Sequence, residues 1–137
     1  MFKVRCITVF GGGDHPPEEV ADVLRKLKES VSGDATEVQM TRYTSTVVSD
    51  PDQKPEQALI DAARAFESTT SAAGVAPVSL GAIRSREVVR DPDFLVRLVT
   101  ETSHAFVSVA WQHDWGHPEA IRLANAMFAM EEHKPVR

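Results

Sequence analysis

Val4-Arg5-Cys6-Ile7-Thr8-Val9-Phe10-Gly11-Gly12-Gly13-Asp14-His15-Pro16-Pro17-Glu18-Glu19 is the stretch from which the fold is read. From Phe2 to Phe10 the chain is rich in Val, Ile and Phe, and it stops at three glycines, which predicts a strand ended by a turn. A helix start follows. Asp14 or His15 is placed to cap it, Pro16 and Pro17 suit its first turn, and Glu18 and Glu19 favour its positive end. Val20, Val23, Leu24, Leu27 and Val31 then share one helical face, and Gly33 closes the helix. The unit is therefore β-turn-α.

The same grammar recurs three times. A second strand is expected from Glu37 to about Tyr43, where Val38 and Met40 alternate with Gln39 and Thr41. The polar loop Thr44–Lys54 leads to a helix opened by Pro55, running through Ser71 and ending at Gly74. A third strand is expected over Ala76–Ile83, with Pro77 arguing for a late start or an edge position. Asp91-Pro92-Asp93 predicts a helix start with a capping acid and a proline at the first position. The fourth strand, His104–Trp111, is apolar on both faces, which predicts a central place in a parallel sheet. Pro118 and Glu119 open the last helix. Its apolar residues, including Ile121, Met127 and Phe128, cover most of its circumference and suggest a second contact surface. The order β-α-β-α-β-α-β-α predicts one α/β domain over residues 1–137, four β-α units whose mostly parallel sheet carries flanking helices.

Bulk composition excludes several classes. The chain has 137 residues, 42% of them apolar, enough for one core and too short for two ordinary domains. The net charge of −5 offers no basic field for nucleic acid or an anionic membrane. No apolar run approaches the ~20 residues of a membrane span. A single cysteine, Cys6, inside an apolar run reads as an inert core thiol. A chain that opens directly on a strand and has no second thiol is expected in the cytoplasm.

In open parallel α/β sheets, ligands bind beyond the carboxyl ends of the strands. That rule gathers four loops: Gly11–His15, Thr44–Asp52, Gly81–Arg90 and Gln112–His117. Gly11-Gly12-Gly13 can present N–H groups to an anion but lacks the spacing of a nucleotide motif, Asp14 would repel an anion, and a plain turn is the better reading. His113 and His117, with Asp14 and His15, are of the types that ligate metals or move protons, although the helical HExxH spacing is absent. Alternatively, His117 or Asp114 caps the last helix and Trp115 packs on it. Arg84, Arg86 and Arg90 suit carboxylates and phosphates, but Glu87, Asp91 and Asp93 are close enough in sequence to neutralise them. Strand alternation puts Arg42 on the inward face with Val38 and Met40, either paired or aimed into a site.

The run Val4–Phe10 resembles the amino-terminal strand of the family called domain of unknown function 711. Val78-Ser79-Leu80-Gly81-Ala82-Ile83 resembles a later strand of that family. Thr102–Val109 followed by Glu119-Ala120-Ile121-Arg122-Leu123-Ala124 resembles its next strand and helix. The resemblance spans nearly this whole chain and the amino-terminal part of those longer proteins. It implies membership of a large barrel-like α/β assembly similar to the pyruvate formate-lyase superfamily. It carries no catalytic residue over, and no glycyl-radical motif is present.

The sequence thus points to a small α/β subunit that assembles with itself or a larger partner. It would bind a small polar ligand at a rim built from Asp14, His15, Arg42, Arg84, His113 and His117. Two other readings stay open. One is an enzyme using His113 or His117 for acid–base or metal-assisted chemistry. The other is a non-catalytic regulatory or structural subunit. No cofactor is named by any motif.

Overall fold

The computed structural model describes residues 1–12 and 15–133, and for Gln53 the backbone alone. The first predicted strand forms as two segments, β1 (Phe2–Val4) and β2 (Ile7–Phe10), with Arg5 and Cys6 between them. The second is split in step with it, into β3 (Thr36–Val38) and β4 (Thr41–Thr44). β1 pairs with β3 and β2 with β4, both parallel. Hydrogen bonding runs through the breaks: Gln39 N–H donates to the Val4 carbonyl and Ile7 N–H to the Met40 carbonyl, each at 2.9 Å. Cys6 therefore sits at a kink and is only half-buried, with its sulfur 3.6 Å from Thr8 Oγ1, rather than sealed in the core as the apolar run suggested.

The third and fourth strands are β5 (Val78–Ile83) and β6 (Ala105–Val109). The main sheet has the order β2-β4-β5-β6, all parallel, so space repeats chain order. This corrects one expectation. The fourth strand is at the edge of the sheet and β5 is central. A side-chain period of two reports which faces are covered, not whether both neighbours exist. β6 is apolar on both faces because one meets helices and the other carries Phe106 beneath a guanidinium. The late start at Pro77 holds, but the edge position does not: β5 begins one residue later, so the missing proline N–H costs the ladder nothing.

Among the described residues five α-helices connect and follow the strands: α1 (Pro17–Val31), α2 (Glu56–Ala72), α3 (Arg86–Arg90), α4 (Asp93–Thr100) and α5 (His117–His133). α1 packs on β2 and β4 and touches α2, α2 packs on β5 and touches α4, and α4 packs on β6 and touches α5. The long helices thus lie side by side in chain order. A sheet wound in one direction through right-handed crossovers must place them on one face. One core joins the two layers, from Val20 and Leu24 of α1 through Tyr43, Ile60, Leu80 and Ile83 to Leu95, Leu98 and Ala105. Among the described residues the opposite face of the sheet carries no helix. By register it presents the rows Thr8–Arg42 and Phe10–Thr44–Ser79–Phe106.

Helix starts differ from expectation in an instructive way. α1 is preceded by Pro16 at the cap position with no side-chain cap; His15 lies one residue earlier, and Asp14 lies outside the described residues. Asp91 does not cap α4. It ends α3, its N–H bonded to the Glu87 carbonyl at 3.0 Å, and Pro92 takes the cap position of α4. The short α3, unforeseen in the sequence, is capped by Ser85, whose hydroxyl accepts from Val88 N–H at 3.3 Å and donates to Asp52 at 2.7 Å.

Candidate functional site at the carboxyl ends of the strands

Three strand ends frame a cleft of about 590 Å³, lined by Phe10, Gly11, Thr44, Ser45, Thr46, Ser49, Asp50, Ala82 and Arg84. The loop after β4 keeps pairing with β5 beyond the strand proper. Ser45 N–H donates to the Ser79 carbonyl at 2.9 Å and Val48 N–H to the Leu80 carbonyl at 3.1 Å. Gly81 makes this approach possible. Its φ is +117°, and a Cβ there would lie 2.8 Å from the Ser45 carbonyl oxygen and 2.7 Å from Ser49 Oγ. The interruption that Gly81 brings to the β5 pattern is thus the seat of the second rim loop, and the β5–β6 register shifts across it, between Ser79 and Ala82.

The first rim loop is held from below. Tyr43, buried under it, donates its hydroxyl to the Gly12 carbonyl at 2.7 Å. A Cβ on Gly11 would meet that hydroxyl at 2.7 Å and the His15 ring at 3.2 Å. His15 is exposed and lines a smaller cleft of about 280 Å³ between β2 and α1, with Val9, Phe10, Val20 and Val23. Gly13 and Asp14 lie outside the described residues.

The arginine cluster after β5 separates into three fates. Arg90 pairs with Glu87 at 2.9 Å, and Arg86 forms a close ion pair with Asp114 across to the fourth loop. Arg84 is exposed at the cleft and forms no ion pair among the described residues. Arg42 is elsewhere. It lies on the helix-free face, not on Tyr43's core face, and its guanidinium sits 4.5 Å over the Phe106 ring. Its Nε is buried without a hydrogen-bond partner. The strand alternation that placed it with Val38 and Met40 is broken by Gln39 and Met40, which belong to neither strand segment.

His113 is exposed, and His117 is the exposed first residue of α5; neither lines the 590 Å³ cleft. Among the described residues no hydrogen bond from His117 or Asp114 caps that helix. Glu119 does, accepting from Gly116 N–H at 2.9 Å, and this bond, with its own backbone N–H next, holds the Glu119 carboxyl below the usual carboxylate range. Trp115 is buried at the helix start, edge-on to Trp111 with ring centroids 5.6 Å apart. Among the described residues no three His, Cys, Asp or Glu side chains are grouped to hold a metal ion. Among the described residues no helix is long and apolar enough to cross a membrane.

The hydroxyls Thr44, Thr46 and Ser49 were not singled out in the sequence. They are ordinary loop residues there, and only the fold-back of their loop over Gly81 turns them toward a common cleft. No family model, curated protein or solved structure matches the chain, so the resemblance to the domain of unknown function 711 rests on its strand and helix motifs alone.

Proposed function

We propose that this protein binds a small, polar, anionic molecule in the cleft at the carboxyl ends of β2, β4 and β5. The observation that carries the reading is Arg84, a guanidinium without an ion-pair partner among the described residues, beside the hydroxyls of Thr44, Thr46 and Ser49. A guanidinium fork supplies paired donors to a carboxylate or phosphate, and the hydroxyls add donors and acceptors of their own. Asp50, on the same cleft, accepts from a hydroxyl or amine and disfavours a second anionic group nearby. The ligand class is therefore a compact hydroxylated or aminated acid, or its phosphate ester. A guanidinium set among hydroxyls and one carboxylate supports a binding role.

Isothermal titration with inorganic phosphate and with glycerate tests it. Wild-type protein is expected to bind one of these probes, and Arg84→Met to bind it about tenfold more weakly or worse, as loss of a charge-assisted contact implies. Arg90→Met, which removes a guanidinium already paired to Glu87, is expected to bind as wild type does. Wild-type protein that takes up neither probe, or an Arg84→Met variant that binds undiminished, overturns the proposal.

A further inference from the structure

Both edges of the sheet are open, and they are unlike each other in a way that makes them fit. Among the described residues nothing pairs with the outer side of β2 or of β6. Such bare edges are rows of unsatisfied backbone donors and acceptors, which proteins ordinarily cover or blunt. Neither edge here is blunted by a proline or an inward charge. Each instead runs beside an apolar groove. At the β6 edge the groove is about 460 Å³, lined by Leu95, Val107, Val109, Leu123 and Met130 among others. At the β2 edge it is the 280 Å³ cleft under α1, where Val9, Phe10 and Val23 are found.

The helices flanking these edges carry matching surfaces. On α1, Val23, Leu27 and Val31 are exposed at four-residue spacing, a continuous stripe. On α5, Ile121, Met127 and Phe128 are exposed, the last two at 69% and 67%. α1 and α5 run in the same direction, since each returns from the carboxyl end of a parallel strand. Side by side they would set Lys28, in the last turn of α1, beside Glu131 and Glu132 at the end of α5. Among the described residues none of these three has an ion-pair partner within the chain, so the charges complement across the contact.

We infer that the occupant of both edges is a second copy of this chain, with β6 of each protomer pairing in parallel with β2 of the other. A two-fold axis running between the two helix-free faces, along the barrel, makes both contacts at once. Two four-stranded sheets then give eight strands, the number at which parallel β/α units close into a barrel. Two chains of 137 residues also fall near the ~250 residues typical of that architecture. Closure removes both edges, fills the groove at β6 with the partner's β2 and buries the α1 and α5 stripes against one another. It also turns the face bearing Thr8, Arg42, Thr44, Phe106 and Ser108 into a lined interior. The rim clefts of the two copies then open on one mouth, so the site around Arg84 is walled by the partner.

Light scattering on the full chain, combined with oxidative cross-linking in a Cys6→Ser background, tests this. The expected mass is twice the 15.1 kDa of the chain. The double variant Val23→Cys, Met127→Cys is expected to form inter-chain disulfides, while each single variant forms none, because the contact joins unlike helices. Met127→Glu is expected to raise the concentration at which the dimer dissociates by about tenfold or more. A monomer, or an open series of larger species, overturns the inference. So does a dimer in which Met127→Cys alone cross-links, or one in which the double variant does not. Wild-type mass is read without any substitution, so a variant that fails to fold leaves the test standing. Arg84→Met is expected to keep the dimer mass, which separates failure of assembly from failure of ligand binding.

Discussion

Gly81 and Arg42 are the two residues at which the sequence and the fold speak most differently. In the sequence, Gly81 interrupts a strand. In the structure it carries φ of +117° and lets the Ser45–Ser49 loop approach to within 2.7 Å of where a Cβ would be. Gly81→Ala is expected to destabilise the protein by about 1–3 kcal/mol, because the left-handed backbone and the close carbonyl both resist a side chain. Thermal unfolding followed by circular dichroism reads this directly, and a variant as stable as wild type would show that the loop shifts freely. Arg42 was legible as an unusual residue within a strand, but not its destination. Its stem crosses the helix-free face to the Phe106 ring two strands away, a relation that exists only once the strands are ordered. His113 and His117 were legible as chemistry-bearing types, and the fold leaves both exposed and away from the cleft beside Arg84.

At the scale of the element, periodicity and punctuation located all four strand–helix units. What they missed were places where two rules compete for one residue. Asp91 suited a cap, but the chain had already used it to end α3, a five-residue helix too short to show a period. His117 and Asp114 are good cap types, yet the Glu119 carboxylate reaches back to Gly116 N–H first. That bond gives a pH dependence whose sign is determined. The folded-state pKa of Glu119 is depressed, so its contribution to stability is complete above the ordinary carboxyl range and is lost as pH falls through the depressed value. Glu119→Gln is therefore expected to unfold at a lower temperature than wild type near pH 7. The gap is expected to narrow when both are compared near pH 3, a little below the usual carboxyl pKa. A gap that stays constant over that range would place the effect outside the carboxylate.

For the whole molecule, the decisive fact is that one core cluster runs from α1 to β6. A core without a seam predicts one cooperative transition. Leu98, fully buried in that cluster, is expected to cost about 2–5 kcal/mol when replaced by Ala, with the loss appearing in a single transition. Far-ultraviolet circular dichroism and the fluorescence of Trp111 and Trp115 are expected to report the same midpoint in wild type and variant. Separate midpoints would divide the chain into independent units. The proposed assembly belongs to the same scale. A sheet wound one way, with its long helices on one face, has two unlike edges, and exposed apolar side chains of α1 and α5 lie beside them.

The sequence by itself determined that strands and helices alternate and that the strands run parallel. These are local properties, set by side-chain period, turn residues and the length of the connections. Only the tertiary structure decided the order of the strands, the edge position of β6, and the convergence of Arg84 with the hydroxyls of a loop some forty residues earlier. Those depend on which segments become neighbours in space. Neighbour choice is settled by crossover handedness and by packing of the whole core, and no single stretch of chain records it.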